Sequence, residues 1–169
     1  MKIINTRRTV MAALFASLVF VATYISIPLP GNGYANLGDC FVIISGIIMG
    51  PYGIVASAVG SSLCDLVLGY VYYAPATFVI KGIMAALAFL LIGRKQKPNI
   101  IALVITAILC EIVMVGGYFL FEIPLYGLGV AAADIIGNSV QALVGAVSST
   151  VVYTILEKTK ITNRIKGNL

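Results

Sequence analysis

The sequence predicts an all-α integral membrane protein of six transmembrane helices with both termini in the cytoplasm. Three observations carry that prediction. First, only 10% of the 169 residues are charged while 60% are hydrophobic, and mean hydropathy is +1.06; a soluble domain carries about a quarter charged residues. Second, apolar runs long enough to cross a bilayer recur along the whole chain. Third, ten of the eleven basic residues fall into three short clusters: Lys2, Arg7, Arg8; Arg94, Lys95, Lys97; and Lys158, Lys160, Arg164, Lys166. Basic ends and loops stay in the cytoplasm, so an even number of crossings lies on each side of residues 94–98. This composition excludes a soluble enzyme, a nucleic-acid binder and a secreted disulfide scaffold.

Taken in order, residues 9–27 form the first span, ended by Pro28 and Pro30. Its basic start also suits a signal peptide, but no small-x-small cleavage site stands out and retention is expected. A Gly/Asn/Pro loop at 28–38 follows. Residues 39–50 are apolar and stop at Gly50-Pro51-Tyr52-Gly53. They fall short of the roughly 20 residues of a full span, so a short, tilted or partly buried helix is expected. Further spans are predicted at 54–69, 76–93, 99–121 and 129–156, with a Tyr-rich loop at 70–75 and a Pro124-containing loop at 122–128. All of residues 1–169 are expected to form a single transmembrane domain.

The acids are placed opposite to the bases. Glu157 sits in a basic cluster, whereas Asp39, Asp65, Glu111, Glu122 and Asp134 lie within or beside apolar stretches, as does Lys81. A charge near the bilayer centre costs at least about 2.5–3.5 kcal/mol on insertion scales, so such residues normally face a cavity, a partner or a pathway. At 1.5 Å rise per residue, Asp65, Lys81 and Asp134 fall roughly 6–8 Å from the outer ends of their helices, and Glu111 lies deeper. Asp134, Asn138, Gln141 and Gly145 share one stripe of helix 6; Glu111, Met114, Tyr118 and Glu122 share one of helix 5. Ser61 pairs with Asp65 on helix 3 and Thr77 with Lys81 on helix 4. Carboxylates, amides, hydroxyls and aromatic rings converging at one depth suit a small, polar, ring-shaped solute entering from outside. The alternative is interhelical bonding, with Asp65 and Lys81 neutralising each other.

Absences narrow the function. With no histidine, neither an H-E-x-x-H zinc site nor a Ser-His-Asp triad can form. The sequence has no G-x-S-x-G elbow and no G-x-x-x-x-G-K-[ST] loop. Cys40, Cys64 and Cys110 lie singly in apolar runs and suit small core residues. No inverted repeat of the kind found in secondary transporters is evident. Small-x-x-x-small pairs occur at Ala12/Ala16, Ala13/Ser17 and Gly46/Gly50, where helices can approach closely. An outward pocket without an engine suggests a binding subunit driven by other proteins. No enzyme activity, cofactor, metal or nucleic-acid partner is expected.

Several segments carry a family resemblance: Tyr34-Ala35-Asn36-Leu37-Gly38-Asp39, Gly50-Pro51-Tyr52-Gly53, Gly60-Ser61 through Asp65 to Gly69-Tyr70, Tyr73-Ala74-Pro75-x-Thr77-Phe78-x-x-Lys81-Gly82, Met114-Val115-x-Gly117-Tyr118-Phe119, and Asn138-x-x-Gln141. Over nearly its whole length the chain resembles the substrate-binding S components of energy-coupling factor (ECF) vitamin transporters. It looks most like the branch for hydroxymethylpyrimidine, pyridoxine or riboflavin-type substrates, parts of which are linked to queuosine precursors.

The resemblance implies six helices in a bacterial plasma membrane and an outside-facing site capped by the loop between helices 1 and 2. It also implies cytoplasmic partners, a transmembrane coupling protein powered by two ATPases, toward which the S component topples. The family's Ala-x-x-x-Ala docking motif matches Ala12 and Ala16. Substrate contact is expected from Tyr34, Asn36, Asp39, Asp65, Tyr73, Thr77, Lys81, Glu111, Tyr118, Asp134, Asn138 and Gln141. Asp134 departs from the family pattern, standing where a longer Glu is expected. A stand-alone secondary transporter, using Asp65, Lys81 and Glu111 as an ion relay, is the competing function.

Overall fold

The computed structural model describes residues 6–28, 34–95 and 98–167. Its elements are α1 (Thr6–Tyr24), the strands β1 (Ser26–Pro28) and β2 (Tyr34–Asn36), α2 (Gly38–Met49), α3 (Pro51–Leu68) and α4 (Ala74–Ala88), which runs on into a π-helical turn at Phe89–Gly93. They are followed by α5 (Ile100–Tyr126), α6 (Leu128–Lys158) and a short α7 (Ile161–Gly167). Five helices are long and apolar enough to cross a membrane; α2 is shorter. Lys2, Lys97 and Pro30 lie outside the described residues.

α2 is the centre of the bundle. Of its 12 residues only Phe41 is not fully buried, and it packs against α1, α3, α4 and α6. At about 18 Å it could not bridge the roughly 30 Å hydrocarbon layer, and it has no need to. Its surface meets protein on all sides, so its ends are not matched to lipid. The surrounding helices turn apolar side chains outward: Leu14 and Leu18 on α1, Ile112 on α5, Leu143 on α6.

Glycines set the spacing around α2. A Cβ on Gly46 would lie 2.2 Å from the Ala85 carbonyl oxygen of α4, and one on Gly53 would lie 2.0 Å from that of Ser45. Gly50 turns the chain between α2 and α3 at φ 57, and Pro51 fills the first turn of α3. A proline's missing N–H is harmless there, so α3 begins at Pro51 and not at 54. Pro75 occupies the first turn of α4 in the same way. The Ser45 and Ser57 hydroxyls, 2.5 Å apart, join α2 to α3 inside the core.

Two expected loops are structured. The span expected to run to residue 27 gives way to β1, which pairs antiparallel with β2 from the segment expected as a loop at 28–38, Ser26 with Asn36 and Ile27 with Ala35. α1 therefore ends at Tyr24, because the chain must be extended ahead of Pro28. The loop expected at 122–128 shrinks to Gly127. α5 continues through Pro124 to Tyr126, and Gly127, at φ 83, donates to the Ile123 carbonyl at 2.9 Å before α6 starts. A proline in a final turn removes one helical bond. The helix keeps its other bonds up to the Gly127 turn.

Arg8 and Arg94 lie at one end of the bundle. A cavity of about 290 Å³ is lined by Arg8 of α1, residues 47–52 at the α2–α3 junction, and Phe89 and Gly93 at the end of α4. The Arg94 guanidinium lies 5.3 Å from the Phe89 ring. The ribbon and the candidate binding residues occupy the other end.

Candidate functional site

The site forms where the ribbon meets the start of α2. Asn36, the last residue of β2, accepts the Gly38 amide proton on its Oδ1 at 2.7 Å, a local turn that brings the chain into α2. Gly38 must be glycine, because a Cβ would lie 2.1 Å from Thr23 Oγ1. Asp39 then falls in the first turn of α2, where the helix dipole favours a carboxylate.

Asp39 is 1% exposed and gathers partners from α4 and α6. The Lys81 ammonium donates to its Oδ1, and Gln141 Nε2 donates to its Oδ2 at 2.9 Å. Gln141 also accepts the Asn36 amide proton at 2.7 Å, while its Nε2 lies 3.3 Å from both Asn36 oxygens. One side-chain amide thus ties α6 to both the ribbon and Asp39. Lys81 thus reaches Asp39 across 42 positions in sequence.

An aromatic wall flanks this cluster. Lys81 Nζ stands 5.5 Å from the Tyr118 ring centroid, and the Tyr118 and Thr77 hydroxyls are 2.9 Å apart. Tyr73 packs among the rings of Tyr70, Tyr118, Phe121 and Tyr126 and donates to Glu122 Oε1 at 3.3 Å. Burial, with Tyr126 and Glu122 beside it, pushes the Tyr73 phenol well above its ordinary range, so it remains a donor.

Glu111 of α5 and Asp39 meet beside Gly145 of α6. A Cβ on Gly145 would fall 2.0 Å from Glu111 Oε1 and 3.0 Å from the Asp39 Cβ, so a side chain there would displace the Glu111 carboxyl from its place beside Asp39. Glu111 is 3% exposed, and neither of its oxygens has a hydrogen-bond partner; Ser61 Oγ and Glu122 Oε2 are likewise without one.

The other expected residues divide. Asp65 is buried on α3 and Asp134 on α6, whereas Asn138 is half-buried and lies off the buried stripe of Asp134, Gln141 and Gly145. Tyr34 begins β2, with its backbone opposite Pro28. Ala12 and Ala16 are half-buried against the core, and a Cβ on Gly60 would sit 2.5 Å from the Ala16 carbonyl oxygen. On α1 it is Ala13 and Ser17 that are exposed. Sequence reasoning missed the role of Gly145, whose place on the polar stripe was the available signal.

Residues 3–158 match the family described as ECF-type riboflavin transporter, S component. The chain belongs to this family. ECF S components are transporter subunits, not enzymes; they bind small vitamin substrates and work with partners of the ECF module. The multi-pass architecture described above is that of such a membrane subunit. Among relatives, an uncharacterised protein in the gap 3′ region of Pyrococcus woesei is 36% identical over 138 residues, covering 79% of this chain and 90% of its own. The thiamine precursor transporter HmpT of Lactococcus lactis subsp. cremoris is 29% identical over 163 residues, covering 94% of this chain and 93% of its own.

Proposed function

We propose that this S component captures a small heteroaromatic vitamin or vitamin precursor, of hydroxymethylpyrimidine or pyridoxine type, outside the cell. It hands the solute to a transmembrane coupling protein and two ATPase subunits for ATP-driven uptake across a bacterial plasma membrane. The observation that carries this reading is the buried polar cluster beneath the ribbon, where Asp39, Lys81, Gln141 and Asn36 meet beside Glu111 and the Tyr73–Tyr118 wall. Such a site offers stacking faces and polar contacts together, as recognition of a polar ring requires. The similarity to a thiamine precursor transporter supports the pyrimidine class. The family description favours riboflavin as a second reading, and a queuosine precursor would use the same groups.

In this reading Asp39, Asp65, Thr77, Lys81, Glu111, Tyr118 and Asp134 line or support the ligand site from the helices. Tyr34, Asn36 and Tyr73 close it, and Asn138 and Gln141 approach from α6. The Ala12/Ala16 face of α1 docks on the coupling protein. The purified chain is expected to bind ligand without ATP, and uptake into liposomes should require the coupling protein and ATPases. Robust ion-gradient-driven uptake by the chain alone would establish the secondary-transporter reading instead.

For docking, Ala12→Leu is expected to block co-purification with the coupling protein while ligand binding in detergent persists. Both alanines also pack against the core, so Ala12→Leu is read together with its thermal unfolding in detergent. Unchanged assembly of that variant would remove this face from the docking surface.

A further inference from the structure

The polar cluster is unbalanced in both charge and hydrogen bonding. Among the described residues its buried carboxyls are Asp39, Asp65, Glu111, Glu122 and Asp134, against one buried cation, Lys81. Lys81 is already engaged by Asp39 and lies over the Tyr118 ring. The Gln141 amide hydrogens are directed at Asn36 and Asp39. The open capacity is therefore almost wholly for accepting: both oxygens of Glu111 and one of Glu122 have no hydrogen-bond partner, and Ser61 adds a hydroxyl. A buried acceptor left unmade is costly, and the cost is recovered only when a donor arrives. Gly145 holds this arrangement open, since any side chain there would displace the Glu111 carboxyl.

Resting on the reading of this cluster as the ligand site, we infer that it selects heteroaromatic solutes bearing an exocyclic amine or ammonium group. Glu111 is the residue that receives the amine, and phosphorylated forms are rejected. An amine supplies two or three hydrogens to a centre rich in acceptors. A phosphate ester brings further negative charge to a site whose cation is already taken, and unpaired like charges are an effective means of exclusion. Within the proposed substrates this favours aminopyrimidines, pyridoxamine and aminomethyl-deazapurines over riboflavin, pyridoxine and all phosphate esters.

The test uses the full chain purified in detergent, with thermal shift and titration calorimetry. The probes are 4-amino-5-hydroxymethyl-2-methylpyrimidine, its phosphate ester, its 4-hydroxy analogue, and the pairs pyridoxamine/pyridoxine and riboflavin/FMN. The inference expects the preferred amine to bind at least about a hundredfold more tightly than its deaminated partner, with no thermal shift from any phosphate ester. Glu111→Gln should collapse the ratio between amine and hydroxy forms. It should leave thermal unfolding without ligand unchanged or slightly raised, because a buried carboxyl without partners is replaced by a neutral amide. Should that variant fail to fold, the wild-type panel still decides. Equal binding of amine and hydroxy forms, or tight binding of a phosphate ester, overturns the inference while leaving the S-component reading intact. Loss of all ligands alike in Glu111→Gln would overturn the role of Glu111. If no heteroaromatic probe binds, the substrate reading itself fails, and this inference with it.

Discussion

Asp39 holds its environment together by accepting from two helices at once, so its neighbours are unequal in what they can lose. Removing Lys81 leaves a carboxylate buried at 1% exposure without its cation, a change of about 3–5 kcal/mol in soluble proteins. Lys81→Met is therefore expected to lower the unfolding midpoint sharply, and adding Asp39→Asn should recover much of the loss. A double-mutant cycle measured by thermal unfolding in detergent reads this coupling directly. Gln141→Ala should cost about 1–3 kcal/mol, because it strips partners from the Asn36 backbone amide and from Asp39 Oδ2. The residue types at this site were legible in the sequence, since charges in apolar runs announce themselves. Their pairings were not. Helical periodicity relates residues of one helix, and Asp39–Lys81 and Asn36–Gln141 join different elements across 42 and 105 positions.

At the scale of elements, close approach depends on particular glycines and not on glycine content. Gly60 of α3 backs directly onto the Ala16 carbonyl, whereas a Cβ on Gly116 of α5 meets nothing within 4 Å. Gly60→Leu should separate α1 from α3 and lower thermal stability by about 1–3 kcal/mol or more. Gly116→Leu should change it little, and comparable losses at both positions would contradict the packing. Gly50 should resist even alanine, since its φ of 57 and a Phe89 ring 3.1 Å from where the alanine methyl would stand both oppose a side chain. The Gly50-Pro51 break and the six helical runs were legible because hydrophobic length and helix breakers are local signals. The helix ends at Tyr24 and Tyr126 were not. In each case the path of the chain near a proline depended on where neighbouring backbone groups could find partners, which periodicity does not encode.

For the whole molecule, the separation of charges becomes an orientation. Arg8 and Arg94 stand at the end of the bundle that carries the α2–α3 junction, while the ribbon and the Tyr73 cluster stand at the other. With Lys/Arg-rich ends retained in the cytoplasm, the ribbon end is expected to face outward, and α2 runs from it to the α2–α3 junction at the Arg8 end. Short as it is, α2 still returns the chain to the cytoplasmic end, which is how a 12-residue helix counts as a crossing. The orientation can be read chemically because Cys40, Cys64 and Cys110 are all buried and should contribute little background to thiol labelling. Tyr72, which is 81% exposed, lies in the loop before α4; Lys95 follows the π-helical turn. In intact cells a membrane-impermeant maleimide should label Tyr72→Cys, and should reach Lys95→Cys only after the membrane is opened. The reverse pattern would place the polar cluster on the cytoplasmic side, where it could not capture an external solute. Labelling of both sites in intact cells would mean that α4 does not cross, and with it the even count of crossings on either side of residues 94–98 would fail.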